Sequence, residues 1–218
     1  MKYRGLLINP NSSDATSQMM VNIINKILPD HIHFDVITAR NTPLFINSEE
    51  ALKLAQEEVI SLAQKHYLNY DGIIIGAYGD PGLRELRAQL DIPMTGLFEA
   101  SFLEAKKLKR KFAVVTVTPH LLAYLSQQAE QLGTDNNFLG FYCTEQFTAE
   151  ALQQSDLLYA AVVKWTQLAV TEGADTIIVG GGPLGQLAIE MRKEFDYSVI
   201  APLESAVKKL IQAINTSV

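Results

Sequence analysis

Two acidic side chains are the first candidates for chemistry in this sequence. Glu99 in LFEAS and Glu204 in PLESA each follow a short apolar stretch, and about 105 residues separate them. Two carboxylates on opposite sides of a bound molecule could transfer protons to and from it. The alternative is structural, because an acidic residue in the first turn of a helix favours the helix dipole. The residues alone leave both interpretations open.

Two glycine-rich turns repeat at nearly the same interval. DGIIIGAYGDPGL starts at Asp71 and DTIIVGGGPLGQL starts at Asp175, so each turn directly follows an apolar, strand-like segment. Bare backbone in such turns lets N–H groups approach a carboxylate or an oxyanion. The candidate ligand-binding glycines are Gly79, Gly181 and Gly182. Neither turn has the spacing of a dinucleotide fingerprint or of a phosphate-binding P-loop, so no cofactor is predicted.

Three titratable side chains lie on or near the strand ends. Tyr78 could point its hydroxyl into a cleft, or it could pack at the rim. Asp80 precedes Pro81, which predicts that Asp80 caps the helix that follows, with a catalytic role as the alternative. His120 could act as an acid or a base, although an exposed position in a first helical turn is the alternative.

Polar residues follow two further strands. INPNSSD, at positions 8–14, opens a helix, so backbone N–H groups together with Asn11 and Ser12 predict an anion site, with a plain helix cap as the alternative. In VTVTPH, Thr116 and Thr118 could hydrogen-bond a small polar ligand. A capping role for Thr118 at the next helix is the preferred interpretation.

The elements that must position these residues alternate along the chain. Apolar, β-branched segments predict strands, and amphipathic stretches between them predict helices. The predicted strands are 5–9, 33–39, 72–76, 92–96, 112–117, 138–143, 176–180 and 197–201. Helices are predicted after Ser13 and Ser48, and over about 98–110, 120–132, 149–172, 183–194 and 203–215. This alternation predicts an α/β fold with mostly parallel sheets.

The long repeat interval predicts a duplicated half-domain. Two similar halves would be related by a pseudo-twofold axis, with ligands bound at the carboxyl ends of the strands. We expect a first half formed by residues 1–97 and about 203–218, and a second half formed by 98–202. A cleft between the halves is the predicted site.

Composition narrows the classes of function. The 218 residues are 48% hydrophobic and carry a formal net charge of −6, which predicts a globular protein that does not bind nucleic acid. Cys143 is the only cysteine, and no apolar run is long enough for a membrane span, so we expect a cytoplasmic protein. His31 and His33 have too few neighbouring ligands to predict a metal site.

The chain resembles the Asp/Glu/hydantoin racemase superfamily, and most closely its hydantoin racemase branch. The similar segments are INPNSS, GDPGLRELR with IPMTGLFEA behind it, VVTVT, EGADTIIVGG and ESAVK. The resemblance implies two flavodoxin-like halves, a small carboxylate or hydantoin-like substrate and a homo-oligomer. It also implies ligand contacts from Asn9, Asn11, Thr116 and the two glycine turns.

The resemblance breaks down where that family carries its two catalytic cysteines. Those positions correspond to Ala77 and Gly181 in this sequence, and Cys143 lies on neither turn. Proton transfer between two thiols is therefore not expected. Three interpretations stay open: a lyase, hydrolase or isomerase that uses non-thiol groups such as Tyr78, Glu99 or Glu204; a non-catalytic binding protein; or a racemase with carboxylate bases.

Overall fold

Two parallel sheets of the same design form the framework of the protein. The computed structural model describes residues 3–144 and 155–216. The first sheet contains β1 (Tyr3–Asn9), β2 (Ile32–Thr38), β3 (Gly72–Ile75) and β4 (Met94–Gly96), in the order β2-β1-β3-β4. The second contains β5 (Phe112–Thr116), β6 (Phe138–Cys143), β7 (Thr176–Gly180) and β8 (Ser198–Ile200), in the order β6-β5-β7-β8. The repeated strand order confirms the predicted α/β fold with two similar halves.

Helices connect the parallel strands, as the predicted alternation requires. They are α1 (Asp14–Asn25), α2 (Glu49–His66), α3 (Leu83–Arg87), α4 (Leu97–Lys107), α5 (Leu122–Gln131), α6 (Ser155–Thr171), α7 (Gly185–Glu194) and α8 (Pro202–Thr216). The predicted start of the sixth helix, 149–154, lies outside the described residues. Among the helices of the described ranges, none is long and apolar enough to cross a membrane.

Serine caps fix the first turns of two helices. The Ser13 hydroxyl accepts a hydrogen bond from the Thr16 N–H at the start of α1, and the Ser48 hydroxyl accepts one from Ala51 at the start of α2. Each cap satisfies a backbone donor that has no partner within the helix. Both helix starts therefore agree with the sequence prediction.

Alternating side chains divide the apolar interior into three clusters. Leu6 and Ile8 of β1 belong to a cluster of the first half, whereas Leu7, on the opposite face, belongs to a cluster that contains residues of both sheets. In the second sheet, Val114 of β5 joins the shared cluster and Val115 joins a cluster of the second half. Both faces of each sheet are thus covered, as expected for parallel strands with apolar side chains throughout.

The last helix returns to the first sheet. Helix α8 packs against β3, where Leu210 lies so close to Gly72 that an added Cβ would be 2.9 Å from its Cδ1 atom. Helices α4 and α8 also pack against each other, and the shared apolar cluster includes residues of both. The last helix therefore lies beside the first sheet, although the strands of the second sheet precede it in the chain. The residue boundaries of the halves stay a prediction.

Candidate functional site

A small cavity lies where turns of both halves meet. Its volume is about 30 Å³, and its polar lining comes from Asn11, Thr118 and the turn residues Ala77, Gly181 and Gly182. The remaining lining residues are Phe45, Ile46, Tyr78, Val117, Leu121 and Pro183. The two predicted glycine turns therefore border the same small space, to which the first turn contributes Ala77 and Tyr78 but not the predicted Gly79.

Asn9 organises the first strand end from within the protein. Its side chain has no exposed surface, and its Nδ2 donates to Asn11 Oδ1 at 3.1 Å and to Ser17 Oγ at 2.9 Å. Asn11 Oδ1 also accepts the Ser13 N–H at 3.0 Å, which fixes the side chain that lines the cavity. Ser12 is half-buried, and its N–H donates to the Pro43 carbonyl. Of these polar residues, the geometry brings Asn11 alone to the cavity.

The two threonines at the end of β5 form a pair. Their hydroxyl oxygens are 3.2 Å apart, and Thr116 is buried behind Thr118. The predicted cap is wrong, because Thr118 makes no side-chain capping bond to the helical turn Pro119–Leu121. Its hydroxyl is engaged by Thr116 instead. Thr118 thus presents its side chain to the cavity, and Thr116 supports it.

Tyr78 crosses from the first turn to the second. Its ring occupies the place of a side chain at Gly180, since an added Cβ there would be 2.5 Å from Tyr78 Cε1. The ring also packs edge-on against Phe98, with centroids 5.1 Å apart. The hydroxyl oxygen is buried and makes no hydrogen bond of standard geometry, although the Ser101 side chain lies beside it. Burial raises the pKa of Tyr78 far above its usual value, so the hydroxyl is neutral at physiological pH.

Asp80 does not cap the helix that follows it, which corrects the sequence prediction. Helix α3 is preceded by Gly82, with φ 81°, and Asp80 instead caps α4. Its Oδ1 accepts the Phe98 N–H at 2.9 Å and its Oδ2 accepts the Glu99 N–H at 2.8 Å. Burial raises the pKa of Asp80 to about 7, although these two N–H groups oppose the shift. The sequence could not show this contact because it joins distant turns.

Glu99 and Glu204 form matching ion pairs in the two halves. Arg87 contacts Glu99 through two hydrogen bonds of 2.5 and 2.8 Å, and Lys209 adds a third contact. Arg192 contacts Glu204 at 2.8 Å. Burial alone would raise the pKa of Glu99, but its cationic partners outweigh burial and hold the pKa below its usual value. Both acids lie in the first turn of a helix, which agrees with the structural alternative.

The two glutamates do not face each other across the cavity. Glu99 lines a separate cavity of about 360 Å³ together with Asp80 and Tyr124. Glu204 lines another, of about 280 Å³, beside Arg192. A catalytic role for this pair stays a prediction without support from the geometry.

Sequence and structure comparisons identify the family and the fold. A model of the family described as Asp/Glu/Hydantoin racemase matches residues 6–210. The chain belongs to that family. It is 24% identical to a hydantoin racemase of Paenarthrobacter aurescens, with 94% of this chain and 88% of the relative covered.

Two solved structures have the same racemase-family fold. An allantoin racemase from Klebsiella pneumoniae superimposes with a TM-score of 0.88 at 23% identity, covering 100% of this chain and 89% of the other. An allantoin racemase from Pseudomonas fluorescens gives a TM-score of 0.92 at 18% identity, covering 99% and 92%. At these identities the likeness shows the fold alone.

Ala77 and Gly181, which the resemblance places at the positions of the family's two cysteines, differ in the space around them. Ala77 already carries a Cβ at the edge of the cavity. A Cβ at Gly181 would be 2.9 Å from Leu184 Cγ, so a side chain there requires Leu184 to move. Cys143 is half-buried at the end of β6, and burial raises the pKa of its thiol to about 11. Cys143 is therefore a protonated thiol at neutral pH.

The remaining sequence candidates lie away from the cavity. His120 is exposed and is not among the lining residues. His33 contacts Asp35 at 3.2 Å on the outer edge of β2. Within residues 3–144 and 155–216, no group of three or more side chains is placed to bind a metal ion.

The sequence analysis missed the apolar wall of the cavity. Phe45 and Ile46 come from the loop between β2 and α2, and Phe45 also packs against the cluster of the second half. Two apolar residues within a loop were the available signal. The sequence analysis also missed Tyr124, whose hydroxyl donates to the Gly79 carbonyl at 3.0 Å. No local pattern marks that contact, because 45 positions separate the residues.

Proposed function

We propose that this chain is an enzyme that binds a small carboxylate or hydantoin-like molecule between its two glycine turns and converts it without thiol chemistry. The observation that carries the proposal is the convergence of bare backbone at Gly181 and Gly182 with the side chains of Asn11 and Thr118 on one cavity. Backbone N–H groups, an amide and a hydroxyl are groups that recognise a carboxylate or an imide ring. Relatives named hydantoin racemase and allantoin racemase support this class of ligand.

The cavity must widen to hold such a ligand. Binding pockets for small molecules have volumes of about 300–1,000 Å³, far above the 30 Å³ between the turns. Phe45 and Ile46 lie on a loop, whereas Tyr78 is buried against Phe98. Binding therefore requires the loop, or the two halves, to move apart.

The chemistry proposed for the site is a lyase, hydrolase or isomerase reaction. Neither Ala77 nor Gly181 can donate or accept a proton through its side chain. Among the three predicted catalytic residues, Tyr78 lines the cavity and Glu99 and Glu204 do not. A neutral tyrosine hydroxyl can donate a hydrogen bond to negative charge that develops on a ligand, so Tyr78 is the proposed hydrogen-bond donor of the reaction.

The test is proton NMR in D₂O with hydantoins, allantoin, aspartate, glutamate and disubstituted malonates. New product signals would support a lyase or hydrolase, and loss of an α-proton signal without product would support an isomerase. The matched variants are Asn11→Ala, which removes a cavity side chain, and Asn41→Ala, which lies outside the cavity. Equal turnover by both variants would contradict the proposed site.

A second candidate function is non-catalytic binding of the same class of ligand. The observation that favours it is that Tyr78, with its buried hydroxyl, is the one titratable side chain among the described lining residues. Ligand at 100 times its dissociation constant would then raise the free energy of unfolding by roughly 2.7 kcal/mol, with no change in the ligand spectrum. Flat melting curves across the panel would contradict binding.

A variant with thiols at positions 77 and 181 distinguishes a site that does not bind the ligand from one that binds it but lacks catalytic groups. The variant Ala77→Cys/Gly181→Cys is expected to exchange the α-proton of a hydantoin if the ligand binds between the turns. Leu184→Ala would be added to make space at position 181. Exchange in the restored variant, with neither exchange nor new product in the original chain, would favour the binding protein. No exchange in a folded variant that also fails to bind the panel would contradict both functions.

A further inference from the structure

Three successive residues of the first glycine turn contact three different elements. The Tyr78 ring lies against Gly180 at the end of β7. The Gly79 carbonyl accepts the Tyr124 hydroxyl of α5 at 3.0 Å. The Asp80 carboxyl accepts two N–H groups at the start of α4. The turn at the cavity is therefore held from three directions, all by elements that follow it in the chain.

Close packing makes the Asp80 contact specific. A Cβ at Gly96 would be 2.1 Å from Asp80 Cγ, so the carboxyl occupies the place of a side chain at that position. Asp80 itself has φ 53°, in the left-handed region that costs free energy for a residue with a side chain. The cap on α4 offsets this strain, because the Asp80 carboxyl accepts two backbone N–H groups in that conformation.

The Tyr124 contact has the same character. Its ring lies 3.3 Å from the Cβ position of Gly79, where φ is 122°. The hydroxyl bond then fixes the orientation of the Gly79–Asp80 peptide. A side chain at Gly79 would be strained in this conformation, and it would also meet the Tyr124 ring.

We propose that Asp80 and Tyr124 are positioning residues, which set the geometry of the first glycine turn at the cavity through α4 and α5. The importance of that geometry for a ligand rests on the proposed function. The positioning itself does not, because it can be measured on the ligand-free protein. Neither residue is among those that line the cavity, so any effect on the cavity is indirect.

The experiment measures backbone amide chemical shifts of the ¹⁵N-labelled, ligand-free protein. Tyr124→Phe and Asp80→Asn are compared with two matched controls. Tyr159→Phe removes a hydroxyl that donates to Glu194, and Asp135→Asn alters a carboxyl that accepts the Asn137 N–H at 2.8 Å. The decisive signals are those of Gly181 and Gly182, which line the opposite side of the cavity.

We expect both test variants, and neither control, to shift the Gly181 and Gly182 amides. A change confined to residues in contact with the altered side chain would overturn the proposal. Should Asp80→Asn fail to fold, Tyr124→Phe alone decides between these outcomes. Loss of ligand binding in a variant with unchanged Gly181 and Gly182 shifts would also count against positioning.

A pH titration of the amide shifts provides a second readout, because a contact that only stabilises the fold would not make the cavity amides follow the titration of Asp80. The charged and titratable groups near Asp80 are Glu99, Arg87, Tyr78 and Tyr124. The pKa of Glu99 is lowered and those of the two tyrosines are raised, so none of them titrates near pH 7. The Phe98, Gly181 and Gly182 amides should therefore titrate with a midpoint of about 7 in the original chain and lose that midpoint in Asp80→Asn. A midpoint that persists in the variant would exclude Asp80 as its source.

Discussion

The two glycine turns occupy equivalent places in a duplicated fold but are held by different forces. In the first, the Asp80 carboxyl and the Gly79 carbonyl make polar contacts with other elements. In the second, the residue equivalent to Asp80 is Leu184, which is fully buried and packs beneath Gly181. The Arg–Glu ion pairs are kept in both halves, at the same spacing. The two halves therefore share their framework, whereas the supports of their turns differ.

The largest expected effect is on the pH dependence of stability, which follows from the buried Asp80 carboxyl of the first turn. The carboxyl of Asp80 has a pKa of about 7 in the folded protein and an ordinary value of 3.8. Between these values the folded state keeps a proton that the unfolded state releases, so the free energy of unfolding falls as pH rises. At about 1.4 kcal/mol per pKa unit, the total is at most about 4 kcal/mol.

The comparison is urea unfolding of the original chain and Asp80→Asn from pH 4 to pH 8. Because asparagine does not titrate, the free energy of unfolding of the variant should lack this part of the decline. Relative to that of the original chain, it should therefore be highest above pH 7. Asp135→Asn, whose carboxyl is exposed, is the control. Parallel stability curves for the original chain and Asp80→Asn would mean that Asp80 titrates alike in both states.

Gly96 and Ala201 occupy equivalent positions before α4 and α8. Gly96→Ala places a Cβ 2.1 Å from the Asp80 carboxyl, so the cap must break or the backbone must shift. We expect a loss of about 3 kcal/mol, from overpacking and from the lost cap together. Ala201→Gly removes one buried methyl group and should cost about 1 kcal/mol. Denaturant unfolding measures both, and equal losses would show that the two positions do not differ as proposed.

The ion pairs should differ in strength although their spacing is the same. Glu99 has two cationic partners, Arg87 and Lys209, whereas Glu204 contacts Arg192. We expect Glu99→Gln to lower the free energy of unfolding by about 2 kcal/mol and Glu204→Gln by about 1 kcal/mol, since the partly exposed cations regain water. Glu85→Gln, in the exposed pair with Arg84, is the control without measurable effect. A larger loss for Glu204 than for Glu99 would reverse the ranking.

The same contrast explains what the sequence could and could not predict. Strand alternation and the serine caps are local signals, so β1, β5 and the starts of α1 and α2 follow from the residues. The repeat interval likewise predicts the matching of the two sheets. The partner of Asp80 does not follow, because a cap near in sequence and a cap on a distant helix use the same carboxyl. The small cavity and its apolar wall depend on how the loop of Phe45 folds back, which no spacing records.

The smallest expected effect separates two tyrosines that flank the first turn. The Tyr124 hydroxyl has a partner in the Gly79 carbonyl, so Tyr124→Phe leaves a backbone acceptor unpaired and should cost about 1 kcal/mol. The buried Tyr78 hydroxyl makes no hydrogen bond of standard geometry, although the Ser101 side chain lies beside it, so Tyr78→Phe should cost less stability than Tyr124→Phe. Urea unfolding with Tyr159→Phe as control measures both changes. A stability loss in Tyr78→Phe as large as that in Tyr124→Phe would show that the Tyr78 hydroxyl forms a hydrogen bond, which would add a further polar contact to those that already hold the first turn.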